Sequence, residues 1–321
     1  MRHFALRPFA LRPALAATVG LGLLLSGCAA TPTNTTSASS AGTIEVVTST
    51  DVYGDIVKDI GGDKVHVTSI INRPSQDPHS YEATTQDKLA ISKARLVLEN
   101  GGGYDDFIHK MATDSNIGGD SIITAVEVSG LAPAETATAP ADGHGHAEFN
   151  EHVWYNFDAM AKVADAVAGK LAGLDAASAK TFQTNAESFK KELSSMQAKL
   201  AALKAKAGGE SVAFTEPVPG YLLESAGLVN KMPEEYSAAV EEGTDVPPSV
   251  LKEATDLASS AQIKLLAYNP QTEGTQTEVV KKAAEAAGVP VVNFTETLPE
   301  GKTYLQWMSE NVDNLSKAIN K

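Results

Sequence analysis

The chain has 321 residues, a formal net charge of −14, one cysteine and an aromatic content of only 6%. An acidic balance of this size disfavours nucleic acid and anionic lipid as partners, and mildly attracts cations. No glycine-rich phosphate loop follows an apolar run, and no basic patch alternates with aromatics, which argues against nucleotide and nucleic-acid binding.

Taken in chain order, the first 27 residues read as a leader. Arg2, Arg7 and Arg12 form a positive start, and residues 11–25 are an apolar run rich in Ala and Leu. That layout is a secretory signal peptide, since a membrane span needs roughly 20 apolar residues. It ends in Leu25-Ser26-Gly27-Cys28, which reads as a lipobox, with Cys28 as the residue that takes the lipid. A lone cysteine offers no internal disulfide, so an anchor is its most economical use. The leader carries three arginines and no acid, so the remainder bears −17, three below the −14 of the whole. Residues 28–42 are small, polar and of low complexity, too poor in apolar surface to offset the entropy of ordering, and are expected to be a flexible tether. The stretch from 43 to 321 suits two lobes rather than one core.

Apolar runs at 43–48, 64–70, 95–99 and 121–128 read as strands, with helices expected from Asp51 to the Gly61-Gly62 break, over 85–93 and over 105–112. Such alternation predicts a parallel sheet covered by helices. Residues 129–151, with Pro133, Pro140, Gly143 and Gly145, read as an exposed loop. From Phe157 the pattern is helical. Residues 175–206 contain no Gly or Pro, and Phe182, Phe189, Leu193, Met196, Leu200 and Leu203 fall on one stripe. A helix of that length spans about 50 Å and is expected to be a rigid strut. Strands at 211–215, 263–268 and 289–294, helices at 220–225, 249–259 and 277–287, and a closing helix bearing Leu305, Met308, Val312, Leu315 and Ile319 follow. The expected fold class is therefore α/β, with two lobes, each a mainly parallel sheet covered by helices, joined by one long rigid backbone helix. The expected divisions are an N-terminal lobe at 43–155, a linking helical region at 156–208 and a C-terminal lobe at 209–321.

Ligands of open parallel sheets bind beyond the carboxyl ends of the strands. Four metal-competent side chains fall on such loops. They are His79 in Asp77-Pro78-His79, His152 in Glu151-His152-Val153-Trp154, Glu216 before Pro217, and Glu296 between Thr295 and Thr297. Two neutral imidazoles and two carboxylates balance a divalent cation. By position alone each has a plain alternative, since loop histidines are commonly surface residues and strand-end glutamates commonly cap helices. His66 in a strand and His109 in a helix read as structural. Tyr81, Trp154, Tyr155 and Trp307 fit either a site wall or the core.

The segment 77–107, DPHSYEATTQDKLAISKARLVLENGGGYDDF, resembles the first metal motif of the metal-binding lipoproteins of bacterial zinc and manganese import systems, in which Asp-Pro-His precedes a helix and an Asn-Gly-x-Gly turn. NEHVWYN at 150–156 is similar to the second, usually Asn-Pro-His-x-Trp. AFTEPVPGYLLESAGL at 213–228 resembles the segment of the third ligand, which is His in many zinc binders and Glu in manganese binders. VPVVNFTETLPEGKTYLQWMSENVDNL at 289–315 is similar to the family's end, whose fourth ligand is commonly Asp. The resemblance covers residues 43–321 and implies His79, His152, Glu216 and Glu296 as the metal ligands. It also implies the two-lobed fold. Glu151 stands where Pro is usual, and Glu296 replaces the usual Asp with one methylene more. His144 and His146 lie in a loop that in zinc-importing relatives is longer and His-rich, so they are candidates for an auxiliary metal loop.

The function implied is that of an extracytoplasmic solute-binding lipoprotein, expected to be a monomer. It would capture Zn2+ or Mn2+ as transported ligand and pass it to the membrane permease of an ABC importer, held by its lipid on the outer face of the cytoplasmic membrane. The His loop and the intrinsic affinity order lean slightly to zinc, the carboxylates to manganese. Competing readings are a binder of a metal chelate or other small organic solute, a secreted metallohydrolase, and an adhesin. The second lacks a His-Glu-x-x-His helix.

Overall fold

The structure, a computed structural model, describes residues 42–76, 78, 81–132 and 150–320. The leader, Cys28, His79, His144 and His146 lie outside the described residues.

The first half opens with β1 (Ile44–Thr50), α1 (Asp51–Gly61), β2 (Val65–Ile71), α2 (Thr85–Ile91), β3 (Leu96–Glu99), α3 (Asp106–Asp114), β4 (Ile122–Thr124) and α4 (Ala125–Ser129). The strands form an all-parallel sheet in the order β2-β1-β3-β4. Neighbouring residues of β1 are buried on opposite faces, Val46 in the large core and Val47 in a smaller one with Ile70, Ile71, Val97 and Ile108. This two-sided burial is why the strands read as continuous apolar runs. At α2, Thr84 and Asp87 form a reciprocal capping box that fixes where the helix starts. The strand expected over 121–128 stops at Thr124 and the chain turns helical. Short apolar runs do not distinguish the two states by periodicity, and here the Val126 N–H goes to the Asn100 carbonyl instead of a strand partner.

Helix α5 (Phe157–Leu174) and α6 (Ala179–Ala207) follow, separated by a tight turn at Ala176–Ser178. At 29 residues α6 is about 44 Å long. All six residues of its expected apolar stripe are buried.

The second half is β5 (Ser211–Phe214), α7 (Gly220–Ser225), β6 (Val229–Asn230), α8 (Glu234–Glu241), α9 (Pro248–Ala258), β7 (Leu266–Tyr268), α10 (Thr275–Ala286), β8 (Val291–Asn293) and α11 (Tyr304–Ile319). Its strands are again parallel, in the order β6-β5-β7-β8. The two-residue β6 and the helix α8 have no counterpart in the sequence expectation. The fold is as expected otherwise, with two four-stranded parallel sheets covered by helices and one long helix between them.

The largest apolar core is continuous across the molecule. It takes in β1 and β3, both long helices, β7 and α11. Helix α11 returns to the first half, where the Tyr304 hydroxyl donates to the Trp154 carbonyl (2.6 Å) and the Tyr304 N–H to Asp55 (2.7 Å). Trp154, Tyr155 and Trp307 belong to this core, and the Tyr155 hydroxyl donates to the Thr295 carbonyl (2.8 Å).

Candidate metal centre

Both sheets place their strand ends toward a buried polar space, and each order reverses between its two central strands. Such switch points open a crevice at the carboxyl ends.

The best-defined group there is His152, at 1% exposure. It sits just before the tight turn Val153–Tyr155. Its backbone N–H donates to Asn150 Oδ1 (3.0 Å), and its ring Nδ1 lies 2.7 Å from the same atom. A backbone N–H only donates, so that Asn150 atom is the amide oxygen. Ring Nδ1 therefore carries the proton, and Nε2 keeps its lone pair. Orienting an imidazole through its other nitrogen is how proteins prepare histidine for a metal. The Asn150 amide nitrogen donates to the Pro217 carbonyl (2.7 Å), and Tyr221 Oη donates to the Asn150 carbonyl (2.5 Å). One side chain thus ties the His152 loop to the segment after β5. Gly220 makes room for it, because a Cβ there would sit 2.6 Å from the Asn150 amide nitrogen.

His152 Nε2 faces Glu296 Oε2 at 4.0 Å. Glu296 is 3% exposed and is held from both halves. Its Oε1 accepts from Asn269 Nδ2 (2.8 Å) and its Oε2 from Tyr104 Oη (3.2 Å). Its N–H donates to Gln271 Oε1 (2.6 Å). The neighbouring Leu298 N–H donates to Asp51 Oδ1 (3.1 Å), which burial pushes up to about 6. Asp51 thus opens α1 after an extended Thr50 and clips the Glu296 loop rather than capping its own helix. Glu216, also 3% exposed, accepts from Thr272 Oγ1.

Tyr104 is aimed by the turn before it. Gly101, Gly102 and Gly103 all adopt positive φ, at 77°, 72° and 92°, a region open at little cost only to glycine. Asp105 closes the turn by accepting the N–H groups of Asn100 (2.6 Å) and Gly101 (2.8 Å). It is wholly buried and pushed up to about 7, by burial first and then by Glu99. Asn100 accepts from Tyr53 Oη and donates to the Glu151 carbonyl (3.1 Å), which supports the His152 loop from below.

The structure sets His152 Nε2 4.0 Å from Glu296 Oε2 and buries Glu216 two residues beyond β5, while His79 lies outside the described residues. It adds two carboxyls. Glu151, 5% exposed, and Glu241, at the end of α8, each place an oxygen within 4.8 Å of the other and of a His152 ring nitrogen. Burial raises the pKa of both, and for Glu241 the charges of Glu151, Glu216 and Glu296 add to it in that order. His66 and His109 are elsewhere, against Glu45 (2.7 Å) and Glu99 (2.9 Å). Tyr81 packs against Phe107 and donates to Asp87. No helix among the described residues is long and apolar enough to cross a membrane.

Charge-dense, dry and oxygen-rich with an oriented imidazole, this arrangement suits a divalent cation. The family model for zinc-uptake complex component A, periplasmic (ZnuA) matches residues 46–318. The manganese ABC transporter substrate-binding lipoprotein PsaA of Streptococcus pneumoniae is 24% identical over 315 residues, 93% of this chain and 96% of PsaA. The manganese-binding lipoprotein MntA of Halalkalibacterium halodurans is 26% identical over 173 residues, about half of each protein (54% and 53%). Among solved structures, FpvC of Pseudomonas aeruginosa in complex with Mn2+ aligns with a TM-score of 0.68 at 26% identity, over 86% of this chain and 98% of FpvC. The periplasmic zinc-binding protein TroA of Treponema pallidum aligns at 0.67 and 21% identity, over 87% and 99%, and shares the fold. The chain belongs to the ZnuA family, the metal-binding, substrate-binding proteins of ABC importers, and is a binding protein rather than an enzyme.

Proposed function

We propose that this protein captures a divalent transition metal, zinc or manganese, outside the cytoplasm and delivers it to the membrane permease of an ABC importer. Cys28 carries the lipid that holds it, as a monomer, on the outer face of the cytoplasmic membrane. The observation that carries this reading is the fixed tautomer of His152, whose Nε2 lone pair faces Glu296 within a buried, carboxylate-lined space. His152, Glu216 and Glu296 supply one imidazole and two carboxylates, and His79 supplies the second imidazole. The full set then neutralises a divalent ion. Four protein ligands leave no open position for a reacting water, in keeping with capture and release. His144 and His146, just ahead of the His152 loop in sequence, serve as an auxiliary collecting pair. They and the intrinsic affinity order favour zinc, whereas the buried carboxylates favour manganese.

Calorimetric titration of the metal-stripped chain from Ala29 onward tests the proposal. Tight one-to-one binding is expected, with affinity falling as pH drops below about 6.5 because the imidazoles must be neutral. His152→Ala should lose more than the 10–100-fold typical of an outer hydrogen-bond partner. No binding of either metal would overturn the reading in favour of an organic solute.

A further inference from the structure

The tight turn Pro270–Thr272, just after β7, carries a side chain that reaches both halves of the fold. Gln271 engages each end of its amide. Its Oε1 accepts the N–H groups of Glu296 (2.6 Å) and Thr297 (3.3 Å). Its Nε2 donates to Thr297 Oγ1 (3.1 Å) and to the Pro74 carbonyl (2.9 Å). Backbone N–H groups only donate and a carbonyl only accepts, so the amide has one orientation, with both donors and both lone pairs in use. Asn269 sets the turn by accepting the Gln271 N–H on its side-chain oxygen (2.9 Å).

Pro74 stands 197 residues away in sequence, in the loop that leaves the carboxyl end of β2. Residues 72–75 of that loop are exposed. The loop is fastened within itself. The Gln76 N–H donates to the Arg73 carbonyl (3.0 Å), the Asn72 N–H to Gln76 Oε1 (3.1 Å) and Asn72 Nδ2 to the Ser69 carbonyl (3.0 Å). It is therefore built to move as a unit about the end of β2. Among the described residues, the bond from Gln271 is the one hydrogen bond that joins it to the second half.

The halves are thus fastened in two ways. Behind the crevice, the bond from Tyr304 to the Trp154 carbonyl is buried, and breaking it strands polar groups away from water. At the strand ends, the bond from Gln271 to Pro74 is exposed, so water replaces both partners when it opens and the cost is small. One bond can then free the loop while Glu296 keeps its own donors, Asn269 and Tyr104.

We propose that Gln271 is a positioning residue that ties the Glu296 loop to the loop after β2 and so sets how fast the captured ion leaves. The proposal rests on the metal-capture reading above and adds to it the step at which cargo is let go. Variants of one binding site differ mostly in release rate, so release is the quantity to read.

The experiment loads the wild type, Gln271→Glu and Gln271→Met with Zn2+ or Mn2+ and mixes each with excess chelating dye in a stopped-flow instrument. Glu keeps an oxygen for the Glu296 and Thr297 N–H groups and replaces the donor toward Pro74 with a second oxygen. Its charge holds a cation harder, so charge cannot produce a faster release. Met keeps the length and loses both ends. Release about threefold or more faster than wild type is expected in Gln271→Glu, and faster still in Gln271→Met. Hydrogen exchange of the metal-free proteins supplies a second readout. Amides of the 72–76 loop should exchange faster in both variants, and those of Glu296 and Thr297 only in Gln271→Met. Release from Gln271→Glu at the wild-type rate or slower, or unchanged exchange at 72–76 in that variant, would overturn the tether and reduce Gln271 to a support of the Glu296 loop, leaving metal capture intact. Absence of binding of either metal by the wild type would overturn both.

Discussion

The 150–155 loop and the end of helix α8 approach the same buried space and are built in opposite ways. The loop is fixed at several points. Asn150 holds the His152 ring, the Pro217 carbonyl and the Tyr221 hydroxyl, while Asn100 supports Glu151 from beneath. Helix α8 delivers Glu241 with its Oε1 buried and without a hydrogen-bond partner. Groups that must accept an ion in one geometry are pinned before it arrives, because ordering them afterwards would cost affinity.

Breaking the pins tests this contrast. The largest effect is expected from Asn150→Ala, which frees the imidazole tautomer and cuts the tie to Pro217. Metal affinity should fall about 10–100-fold, read by chelator competition, with a far smaller change in melting temperature of the metal-free chain. An unchanged affinity would mean that the ring does not need its anchor. Gly101→Ala attacks the turn that aims Tyr104 at Glu296. Its φ of 77° is strained for alanine, and the added Cβ would run into the Thr124 side chain. A stability loss of about 1–3 kcal/mol is expected, measured by urea unfolding. The smallest effect is at Asp51, the clip on the Glu296 loop. Its pKa is pushed up from 3.8 to about 6 by burial, so between those values the folded state holds the proton more firmly than the unfolded one. Stability contributed there is present at acid pH and falls as pH rises through 4 to 6. Asp51→Asn keeps an acceptor for Leu298 and removes the charge. The melting temperature at pH 7 should rise by about 2–4 °C, with little difference at pH 4. A rise of equal size at both pH values would assign the effect to packing instead.

Much of the frame was legible because it obeys short-range rules. β1 and β3 are apolar runs buried on both faces, and the α6 stripe recurs at helical spacing over about six turns. The glycines at 101–103 announced a turn, and positive φ at all three explains them. His152, Glu216 and Glu296 were legible as candidates from motif and strand end, and all three are buried, with His152 and Glu296 4.0 Å apart. What escaped notice was Glu241. EEYSAAVEE at 234–242 carries no metal motif, and two glutamates stand side by side at its end. Only packing decides that Glu241, one turn after the buried Ser237, faces inward. Glu151 stands where the family usually has proline, and nothing local to residues 150–152 reveals a second carboxyl arriving from 90 residues away. The two-residue β6 is too short for any periodicity.

The continuous core has a consequence for how the molecule comes apart. The apolar faces of α5 and α6 pack on each other and on α1, and α6 packs also on α11 and α7. Cutting the chain after Ala207 would leave each piece with an open hydrophobic flank, so neither half should survive as an autonomous folding unit. Heat or denaturant should then dismantle both sheets in one cooperative transition, and ion capture at the strand ends should be felt as far away as the turn between α5 and α6. Protease nicking in that turn would therefore report on cargo loading from the opposite end of the fold.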